Sequence, residues 1–259
     1  LTAGGDVVLD LKQVRKTFPD GFEAVRGVDL TVERGALIAL AGRSGCGKTT
    51  TLKLINRLEE ASGGSILFGG RDVASMDRVE LRRRIGWVMQ GDGLFPHFTI
   101  EENIGIVPRL LSWDPDQVAA RIRELLELVH LDDPALAGRY PGELSGGQRQ
   151  RVGFARSLAG KPELLLMDEP FSALDPLTRD ALQQDFKALQ AELGFTAVMV
   201  THDMAEALIL ADRIAIMREG RIVQTGSPSS LLAAPADAGI ERLLETPRRQ
   251  MRAIAELEA

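Results

Sequence analysis

A single cysteine, Cys46, stands in a chain of 259 residues, so no disulfide can form within it and no disulfide-stapled scaffold is available. Aromatic side chains are scarce, at 5% with one tyrosine, which leaves little material for stacking successive nucleic-acid bases. A basic excess is missing too. Lys and Arg number 31 against 37 Asp and Glu, a net charge of −6, and nucleic acid is not an expected partner. No apolar run approaches the ~20 residues that span a bilayer, and the amino terminus lacks the basic-then-apolar order of a secretory signal. Internal repeats and low-complexity stretches are also lacking. The chain opens on Leu1 rather than Met, which leaves open whether native residues precede it.

What remains is ordinary globular material, 44% hydrophobic and 26% charged. At this length one large domain, or one with an inserted subdomain, is the default, burying roughly 70–75% of the unfolded surface. Residues 6–40 read as strand, glycine-containing turn and strand, ending in the apolar run Ala36–Ala41. Leu164–Met167 and Ala197–Val200 are two more such runs. Buried strands separated by helical patterns predict a parallel α/β sheet.

From about Gln90 to Lys161 helical signals dominate. Asp114-Pro115 supplies an N-cap and a first-turn proline, and Val118, Ala119, Ile122, Leu125, Leu126 and Val129 then recur at helical spacing. Asp175-Pro176 opens another helix, with Leu177, Ala181, Leu182, Phe186, Leu189 and Leu193 on one side and Gly194 as its stop. Glu219-Gly220 between Arg213–Met217 and Arg221–Thr225 predicts a hairpin, and the last thirty or so residues a helical tail of mixed charge. The resulting division is residues 1–90, core with a β-subdomain; 91–160, helical insertion; 161–228, remainder of the core; 229–259, tail.

The chemistry begins right after the first buried strand, at Gly42-Arg43-Ser44-Gly45-Cys46-Gly47-Lys48-Thr49, followed by Thr50. This is a complete phosphate-binding loop pattern: glycines let backbone N–H groups converge on phosphate oxygens, Lys48 reaches the β and γ phosphates, and Thr49 can ligate Mg²⁺ at a helix start that favours anions. Leu164–Met167 leads into Asp168-Glu169. Alternation along a strand gives the two carboxylates different roles, Asp168 holding Mg²⁺ through water and Glu169 polarising an attacking water. Leu144-Ser145-Gly146-Gly147-Gln148 precedes a basic helix. Ser145 and Gln148 make a capping box, which leaves the two glycines unexplained; open backbone before a helix N-terminus is a second anion-binding design, one that lacks its own catalytic carboxylate. It suggests completion of another subunit's site. His202 follows the third buried strand, at the sheet end where ligands gather. Gln90 ends the strand-like Ile85–Met89 and is either a boundary glutamine or a sensor of Mg²⁺ and γ-phosphate.

In this order the motifs resemble the ATPase subunit of ABC transporters over nearly the whole chain. The resemblance implies a P-loop NTPase (RecA-like) α/β core with an antiparallel β-subdomain and an inserted α-helical subdomain. It makes Leu144–Gln148 the signature, Gln90 the Q-loop, Ser172-Ala173-Leu174-Asp175 the D-loop and His202 the switch. Phe18 matches the aromatic that stacks on adenine, usually Tyr, and Val25 is placed with it at the nucleotide. Two chains would sandwich two ATP molecules head to tail, each site joining one chain's phosphate loop to the other's Ser145–Gln148. Glu169 would be general base, His202 would contact γ-phosphate and water, Lys48 would stabilise transferring charge, and Asp175 would couple the paired sites.

Gly93–Asn103 followed by Val107-Pro108-Arg109-Leu110-Leu111-Ser112-Trp113 is similar to importers of osmoprotectants such as glycine betaine, choline or carnitine. That branch implies transmembrane permease subunits docking on the Gln90–Thr99 region through Phe95, Pro96 and His97, a substrate-binding protein in the full complex, and a peripheral position on the cytoplasmic membrane face. An importer of another small solute, such as an amino acid, and a soluble ABC ATPase acting on nucleic acid or ribosomes are the alternatives. Three departures stand out. Cys46 replaces the usual Ser and Arg43 a common Pro, leaving a loop that is either thiol-sensitive or carries a buried inert cysteine. Gly91-Asp92-Gly93 is more flexible and acidic than the family pattern. Finally, little chain follows Gly226-Ser227-Pro228, so the paired regulatory modules of some relatives are not expected within it.

Overall fold

A computed structural model describes residues 6–91 and 93–258; Leu1 and Asp92 lie outside them. The chain runs β1 (Val7–Thr17), β2 (Glu23–Glu33), β3 (Leu37–Ala41), α1 (Lys48–Ile55), β4 (Gly63–Phe68) and β5 (Arg71–Asp72). There follow α2 (Arg78–Arg83), β6 (Ile85–Val88), α3 (Ile100–Leu110), α4 (Pro115–Leu128), α5 (Pro134–Ala137) and α6 (Gly146–Leu158). The order then continues β7 (Leu164–Asp168), α7 (Pro176–Leu193), β8 (Ala197–Thr201), α8 (Met204–Leu210), β9 (Arg213–Arg218), β10 (Arg221–Gly226), α9 (Pro228–Ala233) and α10 (Ala238–Glu258). Two compact units divide it: Ser75–Ala197, and the residues up to Ala74 together with those from Val198 onward.

In the unit that holds both ends of the chain, an antiparallel sheet has the order β2-β1-β4-β5. β10-β9-β3-β8 forms a second row, with β3 and β9 parallel and β9 and β10 antiparallel. The turn between β9 and β10 has positive φ at Glu219 (49°) and Gly220 (80°), the primed hairpin geometry that matches strand twist. Every residue of β3 and of β8 is buried, which is why these strands read as continuous apolar runs rather than alternating ones.

The Ser75–Ala197 unit pairs β6 with β7 in parallel, Ile85 opposite Leu164, and carries α2 to α7. Asp114 caps α4 as its sequence predicts, accepting the Asp116 amide at 2.9 Å. Of the residues assigned to the inward face of α4, Ala119 is exposed; at about 100° per residue it sits at the edge of the Val118, Ile122, Leu125 stripe. On α7 the inward stripe is Leu182, Phe186 and Leu189, while Ala181 is exposed and Leu177 is 85% exposed. Leu177 lies about 140° around the helix from Leu182, so no packed face can include both. Gly194 ends α7 in the left-handed conformation, φ 61°.

Candidate functional site

The phosphate loop bridges the end of β3 and the start of α1, and its glycines are dictated by close backbone approach. A Cβ at Gly42 would stand 2.2 Å from the Met217 carbonyl oxygen, and one at Gly47 2.3 Å from that of Ala24, with φ of 153° and 104°. No other residue fits either position. The loop is braced from behind by the β9–β10 turn: the Gly220 amide donates to the Cys46 carbonyl at 3.0 Å, and the Arg26 amide donates to the Gly220 carbonyl at 2.8 Å. Sequence reading found the turn but not this bracing role. Lys48 is only 5% exposed, and its ammonium donates to the carbonyls of Gly42 (2.8 Å) and Arg43 (3.1 Å). Arg43, Ser44 and Gly45 are exposed, and Thr49 and Thr50 are half-buried at the first turn of α1. Cys46 is buried; desolvation pushes its thiol up, against the opposing pull of the nearby Lys48 charge. Burial and the raised thiol favour the inert alternative over the thiol-sensitive one.

The same unit holds the remaining side chains of that half. Phe18 follows β1 in a turn, its amide donating to the Phe22 carbonyl at 2.9 Å, and the ring is half-buried with the Lys16 ammonium 5.0 Å from its centroid. Val25 is wholly buried on β2, so its side chain belongs to the core beneath the loop. His202 is exposed between β8 and α8.

In the Ser75–Ala197 unit, β7 ends at Asp168, which is buried, and Glu169 turns out of the strand with φ 47°. A glutamate in left-handed backbone costs about 1 kcal/mol or more and is held there by its surroundings. Here both the amide and the hydroxyl of Ser172 donate to the Glu169 carbonyl, at 3.2 and 3.0 Å. Glu169 thus lies past the end of the strand, where strand alternation no longer sets the direction of its side chain. Gln90 is exposed, and its Nε2 donates to Glu169 Oε2 at 3.4 Å.

Ser145 caps α6: its hydroxyl accepts the Gln148 amide at 3.2 Å, and Gln148 Oε1 accepts the Ser145 amide at 2.9 Å. One of the two unexplained glycines acquires a packing reason. A Cβ on Gly147 would meet Thr178 Cγ2 of α7 at 2.6 Å, whereas Gly146 has nothing closer than 3.9 Å. Open space at Gly146 is what anion approach requires. Asp175 caps α7, accepting the Thr178 amide at 3.1 Å, and hydrogen bonding from Thr178 holds its carboxyl below the usual range.

Within this unit the loop after Gln90 is tightly built. Asn103, wholly buried on α3, accepts the Phe95 amide at 2.8 Å and donates to the carbonyls of Phe95 (3.1 Å), Phe98 (3.1 Å) and Thr99 (2.9 Å). Arg156 of α6 donates to the Gly93 carbonyl at 2.8 Å and lies over the Phe95 ring. Phe95, Pro96 and His97 are exposed on a loop anchored by these bonds, and of the Gly91-Asp92-Gly93 stretch Asp92 lies outside the described residues. The anchoring role of Asn103 was missed because only its place in the motif was legible.

Residues 25–172 match the family model described as ABC transporter. The chain belongs to the ABC transporter family. Its ABC ATPase fold agrees with the dimeric ATP-binding cassette MJ0796, solved in a post-hydrolysis state bound to ADP and Pi: TM-score 0.75 at 32% identity, covering 85% of this chain and 98% of that one. The choline transport ATP-binding protein OpuBA of Bacillus subtilis (strain 168) is 53% identical over 241 residues, 93% of this chain. The glycine betaine/carnitine/choline transport ATP-binding protein OpuCA of the same organism is 52% identical, again over 93% of this chain. The chain spans 63% of the length of each of these two relatives. No helix among the described residues is long and apolar enough to cross a membrane.

Proposed function

We propose that this chain hydrolyses ATP to power import of a small quaternary-ammonium osmoprotectant, glycine betaine, choline or carnitine, through a membrane permease. The observation that carries the reading is the 53% identity to a choline transport ATP-binding protein, joined to a phosphate loop whose Gly42 and Gly47 leave room for nothing but close backbone approach. That cradle fits a nucleotide phosphate chain. Lys48 and the loop amides would hold the β and γ phosphates, with Arg43, Ser44, Gly45, Cys46 and Thr50 lining the loop and Phe18 offering its half-exposed ring to adenine. Thr49, Asp168 and Gln90 would hold Mg²⁺, which neutralises charge developing on the phosphates. Magnesium keeps waters and phosphate oxygens in its shell, so few protein ligands suffice.

Glu169 accepts a proton from water as that water's oxygen bonds to the γ-phosphorus and the bond to the β-phosphate oxygen breaks, releasing ADP and phosphate. His202 holds the γ-phosphate and the attacking water. Ser145, Gly146, Gly147 and Gln148 of a second copy complete each site, so two copies close over two ATP molecules, and Asp175 couples the sites. The anchored Phe95–His97 loop, within Gln90–Thr99, receives the permease. A substrate-binding protein delivers the solute outside, and this chain sits peripherally on the cytoplasmic face of the membrane without nucleic acid.

ATPase activity of the complex reconstituted with permease and substrate-binding protein, with and without glycine betaine, choline and carnitine, tests the reading. Stimulation by one of the three is the expected result. Robust ATPase indifferent to all three would remove the substrate class and leave the motor.

A further inference from the structure

His202 stands between two residues that a closed ring of hydrogen bonds ties together. Thr201, the last residue of β8, is 1% exposed, and its hydroxyl donates to Glu206 Oε2 at 2.7 Å. The same hydroxyl oxygen accepts the Asp203 amide at 3.0 Å. Asp203 Oδ1 accepts the amides of Ala205 at 2.8 Å and Glu206 at 3.4 Å, capping α8. The ring thus runs from Thr201 to Glu206 to Asp203 and back to Thr201, and the exposed residue it encloses is His202.

Capping accounts for Asp203 alone. It does not account for Glu206, which is 6% exposed. An apolar residue would fill that position on α8 without the cost of burying a carboxyl group. What the side chain supplies is direction: Glu206 Oε2 accepts the Thr201 proton and so leaves the hydroxyl lone pairs to the Asp203 amide. The peptide unit that follows His202 is then anchored, through the Asp203 amide, to the hydroxyl of the buried residue that precedes it, in surroundings where such bonds are strong.

We infer that Thr201 and Glu206 are positioning residues that hold His202 in the attitude ATP hydrolysis requires. The inference rests on the role proposed for His202 above. Steady-state ATPase kinetics on the full chain assembled with its membrane partners tests it, comparing His202→Ala, Thr201→Val, Thr201→Ser, Glu206→Gln and the His202→Ala/Thr201→Val double variant. Thr201→Val lowers kcat by about 10-fold or more with KM for ATP within about twofold, as expected of a group acting on the transition state rather than on ATP binding. Thr201→Ser restores kcat, and Glu206→Gln, which keeps an acceptor oxygen, retains most of it. With alanine at 202, Thr201→Val changes kcat by less than about twofold, because the residue through which it acts is gone. If Thr201→Val fails to fold, Glu206→Leu carries the same comparison.

A Thr201→Val enzyme with parental kcat beside an inactive His202→Ala overturns the inference and leaves the His202 assignment standing. Losses that multiply in the double variant, or KM rising in step with the fall in kcat, overturn it as well. A parental rate in His202→Ala removes the His202 assignment itself, and the inference with it.

Discussion

The Lys48 ammonium donates to the Gly42 carbonyl at 2.8 Å, across the loop whose phosphates it is proposed to bind. The loop's own backbone thus holds the lysine over the proposed anion site, and an incoming phosphate would take over a charge already desolvated. Lys48→Ala is expected to weaken ATP binding by about 2 kcal/mol, the scale of a charged hydrogen bond, or roughly 30-fold in Kd. Titration calorimetry reads this directly, and unchanged affinity would count against the phosphate-loop assignment.

Glu169→Gln keeps the length and polarity that meet Gln90 and removes the basic oxygen. Turnover is expected to fall by about 100-fold or more, the scale of general-base catalysis, while ATP binding persists and a closed dimer accumulates. Size-exclusion chromatography with Mg-ATP and a phosphate-release assay check both halves. Near-parental turnover would show that Glu169 is not the base.

Gly147→Ala forces a methyl against Thr178 Cγ2, 2.6 Å away, at the contact between α6 and α7. A destabilisation of about 1–3 kcal/mol is expected, as for other overpacked contacts. Thr178→Ser, which removes that methyl and keeps the hydroxyl beside Asp175, should recover most of it. Denaturant unfolding of the two single variants and the double variant measures the rescue; strictly additive losses would mean the contact is not the cause.

Asn103→Asp replaces an amide that donates to three carbonyls with a carboxylate that repels them. The Phe95 and Thr99 carbonyls keep the backbone amides of Phe98 and residue 103, but the Phe98 carbonyl loses its side-chain donor and a wholly buried carboxylate faces all three, a cost of about 1–3 kcal/mol, and the Phe95–His97 loop should lose its anchored shape. The expected outcome is loss of co-purification with the permease at parental ATP affinity. Intact assembly would separate the loop's anchoring from permease docking.

Much of this was legible in the sequence because it is local. Caps at Asp114, Ser145 and Asp175, the stop at Gly194 and the turn at Glu219-Gly220 each depend on a few neighbouring residues, and apolar runs announce strands buried on both faces wherever they lie. The phosphate loop is legible for the same reason: its chemistry is carried by consecutive backbone donors, so spacing alone specifies it. Periodicity was weaker at helix edges. Leu177 and Ala119 are apolar and fall near the expected spacing, yet angle around the helix axis leaves both exposed.

The sequence by itself determined the family motifs, their order and the elements that carry them. Only the tertiary structure decided that Gly220 braces Cys46 from behind, that Gly147 is small because Thr178 is near, that Asn103 anchors a loop, and that Thr201 and Glu206 enclose His202. Glu169, too, needed three dimensions: its left-handed backbone is imposed by its surroundings, against its own preference. The physical reason is common to them all. A hydrogen bond or a van der Waals limit is set by the atom on the other side, and one-dimensional spacing does not say which residue folding will bring there.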